Sequence, residues 1–219
     1  MSDRISINDL KRMLVEAARC LRENNELLSE LDSVCGDGDH GTTMLRAAEQ
    51  LEAAAGDVSL ESPAALLKDG GWKLLSIDGG ASSALLGTFI GGMGDAAGEA
   101  DLDCRSLAIV FEAGMKALFK QTKARPGDKT MVDAIAPAVA ALKQAADAGA
   151  TIADALEQAA AAAARGAEST KALVARYGRA KFQGDKTLGH ADAGARSIAL
   201  LFHGFSQAFQ EQAEINHGG

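Results

Sequence analysis

Leu10, Met13, Leu14, Ala17, Ala18 and Leu21 recur at spacings of three and four, the period of a helix that buries one face. The same spacing runs through nearly the whole chain and narrows the folds open to it more than any other feature. β-Branched runs are few, no segment alternates apolar with polar residues, and no Asn-Gly hairpin turn occurs, so strands are not expected. Eight helices follow. The first is read as one piece from Ile7 to Leu31, with Ser6 and Asp9 as a capping box. The second starts near Thr42 or Thr43 and runs to about Ala55. Ser62 as cap and Pro63 in the first turn open the third, which reaches Ser76. After Asp78-Gly79-Gly80-Ala81-Ser82-Ser83 a small-residue helix continues through Ile90 to Met93. The others span Ser106 to Lys120, Met131 to Ala148, Thr151 to about Arg176, and Ala193 to Ala213. The expected fold is one all-α domain over residues 1–219, eight antiparallel amphipathic helices in a closed barrel or bundle with short loops.

Aromatic residues are only 4% of the 219, so the core is expected to be mainly Ala and Leu. A net charge of −8 argues against nucleic acid or an anionic membrane surface as partner, since both need a basic face. No apolar run reaches a membrane span, and the charged N-terminus lacks the layout of a signal peptide. Cys20, Cys35 and Cys104 are odd in number and widely spaced, which reads as reduced thiols in a cytoplasmic protein without a zinc pattern.

The unusual residues sit between helices. Asp32, Asp37 and Asp39 fall within eight residues of Asp32-Ser-Val-Cys-Gly-Asp37-Gly-Asp39-His40-Gly41-Thr42-Thr43, a stretch read as a turn. Three carboxylates repel one another unless water or a divalent cation surrounds them. Hard oxygen ligands with room left for substrate phosphates suit Mg²⁺; the alternative is a solvated Gly/Asp turn. Counting an EF-hand loop from Asp32 or Asp37 puts Thr43 or Ala48 where a glutamate is required, which excludes it. Cys35 has no base predictably near and makes a poor nucleophile.

Three further interruptions share this character: Asp78 to Ser83, Arg125-Pro-Gly-Asp-Lys-Thr-Met131, and Gly178 to Gly194. Small residues at helix starts leave N–H groups free for anions. In an up-and-down bundle the loops after odd-numbered helices meet at one end, so these four should converge on a phosphate-bearing ligand with Mg²⁺. No Gly-x-x-x-x-Gly-Lys-Ser/Thr is present, which excludes a P-loop.

Gly36-Asp37-Gly38-Asp39-His40-Gly41, Gly79-Gly80-Ala81-Ser82, Gly87-Thr88-Phe89, Pro126 to Met131, Gly178-Arg179-Ala180 and Gly189-His190-x-Asp192-x-Gly194 resemble the L subunit of dihydroxyacetone kinases, in the right order over nearly the whole chain. The resemblance implies an eight-helix barrel binding adenine nucleotide and two Mg²⁺ at one end. It implies that Asp32, Asp37 and Asp39 ligate the metals. By the same resemblance His40, Gly41, Thr42, Thr43, Ala81, Ser82, Thr122, Met131, Arg179, Asp192, Ala193 and Gly194 hold the nucleotide. Arg179, with Lys129 as a further candidate, steadies the transferring phosphoryl group. The acceptor, dihydroxyacetone or a similar small ketose, belongs in this family to a separate K subunit. In one branch ATP exchanges as a substrate; in the other a held ADP is recharged by a phosphotransferase-system donor protein. Gly38 and the Thr42-Thr43 pair resemble the ATP-using branch, although that branch commonly has cysteine at the place of His40 and many members have proline at that of Ala193. A homodimer or a hetero-oligomer fits the same family. A fatty-acid-kinase nucleotide domain and a non-catalytic regulatory module are the other classes weighed; intact Asp32, Asp37, Asp39 and Arg179 speak for chemistry.

Overall fold

The computed structural model describes residues 4–217, and among these it is all-helical apart from one bridge. Nine α-helices are present: α1 (Ile7–Glu23), α2 (Asn25–Cys35), α3 (His40–Gly56), α4 (Pro63–Leu75), α5 (Gly80–Ala97), α6 (Cys104–Gln121), α7 (Val132–Asp147), α8 (Ile152–Ser169) and α9 (Ala193–His217). Two 3₁₀ segments, Thr170–Ala172 and Arg179–Thr187, lie between α8 and α9. Backbone hydrogen bonds in both directions at Ile5 and Leu102 form the bridge and fasten the chain start to the approach of α6.

Local chemistry sets most boundaries. Ser6 and Asp9 form the expected capping box, and Ser62 caps α4 by accepting from the Ala65 N–H at 3.2 Å with Pro63 at the first position. The predicted first helix is two. Asn24 donates its amide to the Cys20 carbonyl at 2.9 Å and Asn25 to that of Arg22 at 2.6 Å. These side chains compete for the carbonyls that a continuous helix would use, and Asn24 leaves helical geometry. Beyond it α2 runs past Leu31 to Cys35, so Asp32 sits on a helix rather than in the turn. The alanine-rich helix ends earlier than predicted, at Ser169, where Ser169 and Thr170 hydroxyls donate to the Gly166 and Ala167 carbonyls.

Packing follows chain order. Each helix from α3 onward packs on the next, α9 packs on α8 and on α1, and α1 packs on α3, so the sequence of neighbours returns to its start. Leucine and alanine supply most of the core, as composition implies. At its centre, however, Phe89, Phe111, Phe202 and Phe205 from α5, α6 and α9 are all buried, with ring centroids 5.5 to 6.4 Å apart and mostly edge-to-face or tilted. Four of the seven phenylalanines thus meet at one point. The α4–α5 contact is closer still: a Cβ on Gly71 would lie 2.4 Å from Gly91 Cα, and one on Gly87 2.9 Å from the Gly71 carbonyl oxygen.

Candidate functional site

The four loops converge. A cleft of about 670 Å³ is bounded by the starts of α3 (Asp39 to Thr43), α5 (Gly79 to Ser82), α7 (with Lys129 to Met131) and α9 (Ala191 to Gly194), with Tyr177 to Ala180 on the rim. Its size suits a nucleotide-scale ligand. Four helix amino ends bring the positive ends of their dipoles to one space.

The acidic cluster forms one wall. Asp32, Asp37 and Asp39 each offer an oxygen within 4.8 Å of the others. Asp32 comes from the last turn of α2 and the other two from the turn into α3. Gly36 has no side chain because a Cβ there would meet Asp32 Oδ1 at 2.2 Å, and Gly38 turns the chain with φ +76°, a conformation other residues adopt at a cost. Asp32 Oδ2 also accepts from the His40 backbone N–H at 3.4 Å. Arg179 reaches across the rim and pairs through Nη1 with Asp37 Oδ2 and, at 3.5 Å, with Asp39 Oδ2. Three convergent hard oxygens with two exposed carboxylates fit a divalent cation such as Mg²⁺.

Buried polar groups hold a further part of the lining. Lys129 is 3% exposed with φ +60°, and its Nζ donates to the Thr170 carbonyl at 2.6 Å and the His190 carbonyl at 2.5 Å. Burial pulls the ammonium pKa down. With two of its three donors on these carbonyls, Lys129 ties the loop before α7 to the approach to α9 and also lines the cleft. Thr170 completes the tie, since its hydroxyl accepts from the Asp192 N–H at 2.8 Å. Asp133 gathers the loop before α7 by accepting from Gly127 N–H at 2.5 Å and Thr130 N–H at 2.7 Å.

Asp192 caps α9, accepting from the Ala195 N–H at 2.7 Å. Burial pushes its carboxyl up to about 7, with Asp133 and Asp32 adding to the rise, while the Ala195 hydrogen bond and the Lys129 charge oppose it. The His40 ring turns away from solvent to within 3.2 Å of the Ser197 hydroxyl, and burial holds its pKa below the usual histidine value. Burial likewise pushes the Cys35 thiol up, which keeps it protonated and unsuited to nucleophilic attack.

Of the residues singled out by sequence, His40, Thr42, Thr43, Ala81, Ser82, Met131, Arg179, Asp192, Ala193, Gly194 and the three aspartates line the cleft. Gly41 and Thr122 do not. A Cβ on Gly41 would lie 1.9 Å from the Asn25 carbonyl oxygen, so this glycine lets α3 start against α2. Thr122 Oγ1 accepts from the Ala124 N–H at 3.1 Å and shapes the loop after α6. Thr43 is 4% exposed and packs where a Cβ on Gly79 would approach its Cγ2 to 2.5 Å. Sequence reasoning missed Thr170, Ser197 and Arg46, which donates to the Asp78 carbonyl at 3.0 Å. Thr170 stands among polar residues, Glu168, Ser169 and Lys171, and nothing in its local setting marks it.

The DAK2 domain matches residues 34–207. The ADP-binding subunit DhaL of PEP-dependent dihydroxyacetone kinase 1 from Listeria innocua is 37% identical, over 90% of this chain and 93% of its own. The corresponding Escherichia coli subunit is 32% identical, over 94% and 99%. The crystal structure of the dihydroxyacetone kinase from C. freundii in complex with AMP-PNP and Mg²⁺ superposes with a TM-score of 0.70 and 26% identity. That match takes in 90% of this chain but only 33% of the other, so the chain spans about a third of that kinase. With the domain matched over most of its length and two L subunits aligned nearly end to end, this chain belongs to the DAK2 domain family, the family of dihydroxyacetone kinase L subunits.

Proposed function

We propose that this chain is the Mg- and nucleotide-binding L subunit of a dihydroxyacetone-type kinase, passing a phosphoryl group from ATP to a small ketose held by a separate K-type subunit. One observation carries the reading: three clustered carboxylates and four converging helix amino ends line one cleft of nucleotide size. Asp32, Asp37 and Asp39 would hold two Mg²⁺, which supply charge compensation to the phosphate oxygens. N–H groups at the starts of α3, α5 and α9, with Thr42 and Ser82, orient the phosphates. Met131, Ala193 and Gly194 complete the lining, and Arg179 steadies the transferring group. His40 contributes through its place at the start of α3, its ring being engaged with Ser197. No lining residue is a histidine free to hold a ketone or act as base, which agrees with a partner supplying both. Three free thiols among the described residues fit a cytoplasmic setting.

Titration of Mg-ATP by calorimetry tests the site. Asp37→Asn and Asp39→Asn should each lower affinity at least tenfold with helical circular dichroism unchanged; unchanged affinity in both rejects the metal assignment. Ketose phosphorylation should need an added K-type subunit, and turnover by the isolated chain would reject that division of labour.

A second reading has its own support. Both L subunits compared above are named as ADP-binding subunits of PEP-dependent kinases, which favours a held ADP recharged by a phosphoprotein donor. The ATP reading rests on Gly38 and Thr42, since Thr43 is buried in packing. Stoichiometric ADP surviving extensive dialysis, with turnover requiring a phosphoprotein, selects the second reading; free exchange and turnover on ATP alone select the first.

A further inference from the structure

We propose that Arg179 is the counter-ion of the acidic loop before metal loading, so that arginine and metal compete for the same carboxylate oxygens. The inference rests on the metal-site reading above. The three carboxylates crowd within 4.8 Å and raise one another's energy when no cation is near. Arg179 Nη1 contacts Asp37 Oδ2 and lies 3.5 Å from Asp39 Oδ2, so a single guanidinium nitrogen addresses one oxygen from each of two ligand residues. Mg²⁺ or Mn²⁺ would approach those oxygens to about 2.0–2.2 Å, in space that the Nη1 group occupies. Both contacts do not coexist on one oxygen lobe.

The arginine is free to leave. Its side chain is 65% exposed, and among the described residues no other ion pair holds it. It follows Gly178 at φ +65° and starts a 3₁₀ segment broken at Gly184, φ +56°. Displacement therefore needs a rotamer change at the cleft rim rather than a rearrangement of packed helices. The metal that takes Asp37 and Asp39 thereby releases a guanidinium beside the phosphate space, so loading and arginine availability are linked. Arg179 thus weakens metal binding in the nucleotide-free protein while serving the phosphates once metal is in place.

Binding of Mn²⁺ alone, followed by the electron paramagnetic resonance of the free ion at low ionic strength, tests this on the full chain without nucleotide. Arg179→Gln should tighten Mn²⁺ binding by about two- to fivefold, the upper part of the range an exposed pair commands, and Arg179→Lys by less. Lys181→Gln removes an equal charge from the same segment, where Nζ sits 4.7 Å from the Phe182 ring centre; it should change affinity less than about twofold because solvent screens it. Unchanged or weaker binding in Arg179→Gln overturns the proposal, as does an equal gain in Lys181→Gln, which would reveal only the general field. Asp37→Asn separates the two levels. Binding indifferent to Asp37 rejects the metal site itself, whereas binding that needs Asp37 and ignores Arg179 rejects only the competition.

Discussion

The His40 Nε2 lies 3.2 Å from Ser197 Oγ and joins the first residue of α3 to the beginning of α9. Ser197 Oγ also bonds the Gly194 carbonyl at 2.9 Å, and the His40 ring has the Ala193 carbonyl as a further partner. These contacts connect the acidic turn to the first turn of α9. His40→Ala should cost about 2–3 kcal/mol and Ser197→Ala about 1 kcal/mol, with the double variant less than additive in urea unfolding. The folded pKa of His40 is depressed, so the folded state resists its proton. Its contribution is present above the unfolded value of about 6.5 and declines as pH falls below it. His40→Gln should flatten that decline.

Asp192 carries the opposite sign. Its carboxyl titrates near 7 in the folded protein against about 3.9 unfolded, so the folded state binds the extra proton across that window. Stability from this group is greatest below the unfolded value and is lost as pH rises toward 7. Asp192→Asn keeps the α9 cap and removes the buried charge. Its stability relative to the parent should rise by roughly 1–3 kcal/mol between about pH 4.5 and about pH 8. Parallel curves for the two proteins would contradict this.

Lys129 holds two backbone carbonyls from inside the protein. Lys129→Met keeps the stem but removes the donors, and should cost about 2–4 kcal/mol. Because Thr170 also receives the Asp192 N–H, the same variant should loosen the loop before α9, seen as faster amide exchange at residues 189–192.

Gly71 tests the α4–α5 seam. Gly71→Ala places a methyl against backbone that has no flexible end to move aside, at a cost of about 1–3 kcal/mol. Gly56→Ala, in open space at the end of α3, should be neutral or stabilising by up to about 1 kcal/mol. Thermal unfolding of the pair separates the effect of the seam from that of helix propensity.

The helices and their caps were legible because apolar spacing and residues such as Ser6, Ser62 and Pro63 act within a turn or two of the chain. Convergence of the loops was legible for a similar reason: up-and-down connectivity sends alternate loops to one end. The break at Asn24 was not, since Leu27 and Leu28 continue the helical pattern and only side-chain competition for carbonyls interrupts it. The inward fold of Lys129 was not legible either. Its sequence setting resembles an exposed turn, and nothing local reveals that the ammonium folds inward onto Thr170 and His190. The phenylalanine quartet likewise depends on long-range packing that a low aromatic content conceals.

The glycine contact between α4 and α5 bears on how the molecule can move. Two backbones in direct contact have no side-chain layer to slide on, so these helices behave as a single stiff plate. Gly79 and Gly80 sit at the edge of that plate, so a change in the cleft's shape would leave them in place and fall on the rim where Gly178 and Gly184 flank Arg179 to Gln183. One jaw of the cleft is built as an anvil, and any working stroke would belong to the other.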